Sequence, residues 1–241
     1  MSTPAGRPWR VITISSSTAS RRYFDRSSLT SASGIDGAVT TFAVVLGVTG
    51  AELGARVVLI LGAANLIADG FSMAASNYAG TTSEREQLEQ AAAIERRHID
   101  QEPEGERTEI REIFRRKGLD GEELEAVVRR ITSDRRLWIR TMVAEEYGLP
   151  PEIRSPWLAA SSTFSAFVLC GAVPLLPYVL GAVRVFTYAA LLTACVFLAI
   201  GAIRGQWTGR RQWRSAAETL LVGSMASGLA YAAGLVLKRL V

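Results

Sequence analysis

Two sets of residues in this chain of 241 have the types and spacings that hold a divalent cation. The first is Asn65, Asp69 and Met73, each four apart, which stack on one face of a helix. An amide oxygen, a carboxylate and a thioether make a mixed donor set. Oxygen donors suit Fe2+ and Mn2+, and the sulfur biases the set against Ca2+ and Mg2+. Asp36, from a neighbouring apolar segment, can complete that face. Each residue also has a plainer use: Asp36 as a helix N-cap, Asp69 in a bond between helices, Met73 in packing.

The second set lies further along. Glu95, His98 and Glu102 are three and four apart, Glu106 and Glu109 three apart, and Met142 and Glu146 four apart with Glu145 alongside. Helical bundles build metal sites from such inward-facing carboxylates and imidazoles. The competing reading is a solvated, salt-bridged surface, because fourteen Lys and Arg share the stretch. Glu84, Glu86 and Glu89 fit that surface reading. His98 is the only histidine. Between two carboxylates it is easily protonated, so proton and metal would compete for it.

The elements that must position these residues follow from the distribution of charge. Eighteen of the 23 acidic residues fall between Gly80 and Pro156. The remaining five are scattered through long apolar segments, which points to a membrane protein carrying one aqueous insert. About 20 apolar residues cross a bilayer as a helix. Five segments qualify: Gly34 to Leu53, Arg56 to Tyr78, Trp157 to Leu180, Val183 to Ile203, and Ala216 to Leu237. Asp36 and Asp69 thus stand in hydrocarbon, where a central Asp costs roughly 2.5–3.5 kcal/mol or more. Pro174 and Pro177 should end or kink the third span. Cys170 and Cys195 lie within spans, match no zinc spacing and read as small apolar residues.

Residues 1–33 are rich in Ser, Thr and Arg without an apolar core, and read as a disordered tail. Lys and Arg set the orientation. The tail carries Arg7, Arg10, Arg21, Arg22 and Arg26, and the fourth-to-fifth connection carries Arg204, Arg210, Arg211 and Arg214. Both belong in the cytosol, and so does the insert. Lys238 and Arg239 at the far terminus mildly oppose this arrangement. Trp157, Trp207 and Trp213 sit near span ends as interfacial residues. The arginine excess is membrane topology, so no nucleic-acid partner is expected.

The insert should be helical. Ser83 to Ile99 continues the second span, Pro103 and Gly105 interrupt it, and helices follow over Glu106–Lys117, Glu122–Arg130 and Ser133–Tyr147. Ile110, Ile113, Phe114, Leu124, Val127, Val128 and Ile131 recur at helical spacing and can bury a small core. The expected fold is an all-α membrane protein of five transmembrane helices. A cytosolic helical metal-binding domain, residues 80–156, lies between the membrane segments 34–79 and 157–241.

These residues also carry a resemblance. The strings GIDGAVTTFAVVLGVTGA, ANLIADGFSMAASNYAGTTSE, WIRTMVAEEYGL and GAVPLLPYVLG resemble the vacuolar iron transporter family from about Ser33 onward. The resemblance implies a homodimer that exchanges cytosolic Fe2+ or Mn2+ for protons. It implies a bacterial-type member in the inner (plasma) membrane, in contact with lipid, without enzymatic activity or an organic cofactor. It places Asp36 and Met73 on the translocation path, and makes Glu95, Glu102, Glu106, Glu109, Met142 and Glu146 ligands in the insert. Two positions depart from the plant iron transporters. Asn65 replaces a glutamate, with Asp69 one turn later where they have glycine, and His98 replaces a second glutamate.

Two other functions compete with transport. One is a membrane-anchored metal-binding or sensor module, which has no need of acids inside its spans. The other is a ferritin-type oxidase, for which Glu95 and His98 supply one Glu-x-x-His pair and the chain supplies no second.

Overall fold

The computed structural model describes residues 15–240, with side chains from residue 32 onward apart from Trp207, Leu237 and Leu240. Nine α-helices account for almost all of it, and no strand occurs among the described residues. In order they are α1 (Ser15–Gly50), α2 (Ala55–Gln101), α3 (Pro103–Arg116), α4 (Gly121–Thr132), α5 (Arg135–Glu146), α6 (Pro156–Ala172), α7 (Leu176–Val179), α8 (Val185–Thr208) and α9 (Gln212–Leu240). Five stretches are long and apolar enough to cross a membrane: Ala32–Gly50, the first part of Ala55–Gln101, Pro156–Val179, Val185–Gln206 and Gln212–Val236. They coincide with the five expected spans.

Two boundaries differ from expectation. Helix α1 begins at Ser15, well before Gly34. Residues 15–33 contain no Pro or Gly to stop a helix, so the helix continues upstream of the apolar span, and where a disordered tail was expected residues 15–33 are helical. Residues 1–14, with Arg7 and Arg10, lie outside the described residues. Helix α3 begins at Pro103 rather than Glu106, because Pro lacks only an N–H that the first turn leaves unpaired anyway. Proline acts as a breaker in the third span, as expected. Helix α6 stops at Ala172, a 3-10 turn runs over Val173–Leu175, and α7 resumes with Pro177 in its first turn.

The chain divides into two compact units. The first takes α1, α2 as far as Ala74, and the chain from Ser161 on. Its helices approach closely where side chains are missing. A Cβ on Gly37 would lie 2.4 Å from the carbonyl oxygen of Phe167, and one on Gly234 would lie 2.5 Å from that of Gly47. Glycine therefore presses α1 against α6 at one end and against α9 at the other, as small residues do between membrane helices. Phe42, Val45, Leu46, Val58, Leu175 and Tyr178 fill the space between. Lys238 of α9 pairs with Glu52 in the α1–α2 connection at 2.5 Å, which neutralises one charge of the basic end noted above.

The second unit is Ala75–Ala160. Its core joins Ile99 of α2, Ile110 of α3, Leu124, Val128 and Ile131 of α4, and Trp138, Met142 and Val143 of α5. Fully burying each such aliphatic side chain contributes roughly 1.5–3 kcal/mol. Helix α5 starts where Asp134 accepts hydrogen bonds from the backbone N–H of Arg136 and Leu137, at 2.9 and 3.2 Å. It ends before Gly148, whose φ of +65° suits glycine.

Candidate metal centre

In the first unit, Asp36 sits well inside α1, so it is not an N-cap, which must stand at a helix start. The next residue, Gly37, lets α1 close on α6, and this fixes the position of the carboxylate. Asn65, Asp69 and Met73 follow one another along α2. They flank a buried stripe of Val58, Gly62, Leu66, Gly70 and Ala74 that packs partly on Leu175, Phe164 and Phe167. All three are half-buried, and Asp36 is exposed on the surface of the unit. Asp36 and Asp69 are close enough for their charges to repel. The Asn65 amide nitrogen is buried without an acceptor. Next to this polar line, Ile60, Ile67 and Phe71 of α2 stand more than 60% exposed on a single chain.

The second unit holds a tighter cluster. One ligand atom each from Glu95, His98 and Glu106 lies within 4.8 Å of the others. His98 Nδ1 is 4.0 Å from Glu95 Oε1 and 3.5 Å from Glu106 Oε1. Glu95 and Glu106 reach the site from α2 and α3, and both are buried, at 0% and 5% exposure. The second oxygen of each, Oε2, is buried with no hydrogen-bond partner. A buried carboxylate oxygen left unpaired is costly, and a cation arriving there removes the cost.

Electrostatics separate these acids from many others in the insert. Arg111 pairs with Glu125, Arg115 and Arg116 with Glu112, Arg107 with Glu104, Lys117 with Glu145, Arg135 with Asp100, and Arg140 with Glu152. Glu89 pairs with Arg85, in keeping with a solvated face for that stretch. Glu95, Glu106, Glu109 and Glu146 have no Lys or Arg within ion-pair reach among the described residues. Instead they repel one another. Burial, then the charges of Glu95 and Glu109, push Glu106 up to about 7 despite the opposing pull of His98. Burial, followed by Glu95 and Glu109, raises Glu146 as well. Of these groups, Glu95, Glu106 and His98 present ligand atoms close enough together to hold a metal ion, and the charges of Glu109 and Glu146 act on them.

Glu102 does not join this cluster. Helix α2 ends at Gln101, and Glu102 is the N-cap of α3, with φ −135°, ψ 61° and its side chain exposed. Met142 lies one turn before Glu146 and is fully buried in the apolar core. A further residue belongs to the site. The Tyr147 hydroxyl donates to Glu95 Oε1 at 3.0 Å across 52 residues of sequence. Burial and that hydrogen bond push the phenol up to about 12, so it remains a donor at physiological pH. Tyr147 holds one oxygen of Glu95 and leaves the other to a ligand. Spacing could not reveal this, because the contact closes only when α5 folds back on α2.

Comparison with known proteins places these features in context. The VIT family model matches residues 32–235. The chain is 33% identical over 199 residues to Vacuolar iron transporter 2 of Oryza sativa subsp. japonica, with 81% of each chain covered. It is 32% identical over 201 residues to Vacuolar iron transporter 1 of Arabidopsis thaliana, covering 81% of this chain and 80% of that one. Vacuolar iron transporter of Toxoplasma gondii is 30% identical over 221 residues, covering 86% of this chain and 73% of its own length. With the match spanning all five apolar helices and the helical insert between the second and third, the chain belongs to the VIT family.

Proposed function

We propose that the protein carries Fe2+ or Mn2+ out of the cytosol in exchange for protons. The observation that carries this reading is the pair Asp36 and Asp69, two acids brought together inside apolar helices where neither is needed for solubility. Such groups are retained in hydrocarbon for ion or proton passage.

In this reading the insert faces the cytosol and captures the metal with Glu95, His98, Glu106, Glu109 and Glu146. Carboxylates together with an imidazole favour Fe2+ and Mn2+ over Mg2+, which holds its water and prefers oxygen alone. The ion then passes to a membrane site of Asp36, Asp69 and Met73 with the Asn65 amide. Protonation of Asp36 or Asp69 from the far side weakens that site, because a neutral acid is a poor ligand, and this couples proton entry to metal exit.

A second copy of the chain completes the path. Asp36 is exposed on a single chain, as are Ile60, Ile67 and Phe71 of α2. A carboxylate facing lipid is costly, whereas one facing a partner's polar line is not. A homodimer paired along α2 and α1 covers both the acids and the apolar side chains.

The test is metal loading of sealed proteoliposomes, with Fe2+, Mn2+, Co2+ and Zn2+ compared under an imposed or collapsed pH gradient. Uptake of Fe2+ or Mn2+ that stops when the gradient collapses supports exchange. Loading no faster than in empty liposomes under every gradient contradicts transport and leaves a membrane-anchored metal-binding module.

A further inference from the structure

The insert has a second recess on another face of α2. It is an open pocket of about 470 Å³ between α2 and α5, with an apolar floor that includes Leu88, Ala92, Ile139 and Val143. Four arginines, Arg96, Arg135, Arg136 and Arg140, surround it.

The charges around the pocket do not cancel. Arg135 is neutralised by Asp100 at 2.6 Å and Arg140 by Glu152 at 3.3 Å. The one acid in the lining, Glu89, is itself taken by Arg85 at 3.1 Å. Arg96 and Arg136 are left without a carboxylate partner among the described residues. Two unspent guanidiniums, one on each wall, stand over a floor that offers no hydrogen bond.

We infer that this pocket binds a soluble, phosphate-bearing small molecule with an apolar or ring body, of the size of a nucleoside monophosphate. The guanidinium fork matches phosphate oxygens two at a time, which an ammonium does not. The apolar floor buries the body of the ligand, and the volume falls in the range of small-molecule sites, about 300–1,000 Å³. Inorganic phosphate uses the rim alone and wastes the floor. The headgroup of a bilayer phospholipid does the same, because its acyl chains stay in the hydrocarbon. The site lies apart from the Glu–His cluster and does not depend on the transport reading. A ligand spanning Arg96 and Arg136 ties α2 to α5, the helices that carry Glu95 and Glu146.

The experiment uses the full chain in detergent, free of divalent metal, with AMP as the probe. Calorimetry compares AMP with adenosine and with inorganic phosphate. Hydrogen exchange follows residues 88–96 and 135–143. The expected result is saturable AMP binding, at least tenfold tighter than either control, with slowed exchange in both segments. R96Q/R136Q should weaken AMP at least tenfold with unchanged helical content. A92L, which fills the floor and keeps the charge, should weaken AMP while leaving phosphate as it was. AMP binding no tighter than phosphate, or equal binding by R96Q/R136Q, overturns the proposal. So does protection of these segments by nanodiscs rich in phosphatidylglycerol but not by AMP, which would make the pocket a lipid contact.

Discussion

Replacing Glu106 by Gln tests the electrostatic account of the cluster most sharply. Glu106 is 5% exposed, and its carboxyl is pushed from the ordinary 4.5 up to about 7 by burial, Glu95 and Glu109. Between those two values the native chain holds a proton that the unfolded chain has lost. The resulting stabilisation is complete below pH 4.5 and is lost as pH rises through about 7. At pH 8 an ionised Glu106 therefore costs the metal-free protein on the order of 3 kcal/mol relative to a neutral side chain of the same shape. Glu106→Gln removes that cost. Melting of the metal-free protein, followed by circular dichroism in detergent, should rise by several degrees at pH 8, since 1 kcal/mol moves a chain of this size by about 2–4 °C. At pH 4 the two proteins should melt together, because Glu106 is then mostly neutral in the native and the unfolded chain alike. Mn2+ should reverse the order at pH 8: at a thousandfold excess over Kd it adds about 4.1 kcal/mol to the native protein and little to the variant. A variant that melts below the native protein at pH 8 without metal, or a difference that persists unchanged at pH 4, would refute the reasoning.

Three further perturbations probe the supports of the two sites. Tyr147→Phe deletes the bond to Glu95 and leaves the helix intact; Mn2+ affinity of the insert should fall about tenfold, as for other residues that orient ligands, with unchanged circular dichroism. Equal affinity would show that Glu95 is held by packing alone. Gly37→Ala forces a Cβ to within 2.4 Å of the Phe167 carbonyl, and helix separation there should cost about 1–3 kcal/mol, read as a lower melting temperature. Asp134→Ala removes the cap of α5 and should destabilise the insert by about 1 kcal/mol, with faster hydrogen exchange confined to the start of that helix.

The parts of this molecule that depend on local pattern were legible in the sequence. The five spans followed from where acids are absent, and the helices of the insert from apolar spacing between Gly118, Gly148 and the prolines. The start of α1 was not, because polar composition over residues 15–33 says nothing against a helix when no breaker interrupts it. Pro103 reads equally as a stop and as a first helical residue, and only the helix built after it decides. Helical spacing put Glu102 in line with Glu95 and His98, but the line ends at Gln101. The proximity of Asp36 to Asp69 and the bond from Tyr147 to Glu95 join separate helices, so no periodicity along one segment encodes them. The division of the insert acids into paired and unpaired was hidden for the same reason: Arg111 and Glu125, or Lys117 and Glu145, meet only after folding.

Transport across the membrane depends on the acids inside the spans, and one measurement addresses them directly. Fe2+ loading of proteoliposomes should be compared for the native protein and for Asp36→Asn with Asp69→Asn, while Mn2+ binding to the insert is measured on the same samples. The double variant should lose transport to the level of empty liposomes and keep full metal binding by Glu95, His98 and Glu106. Loading at the native rate by a folded double variant would contradict a path through Asp36 and Asp69.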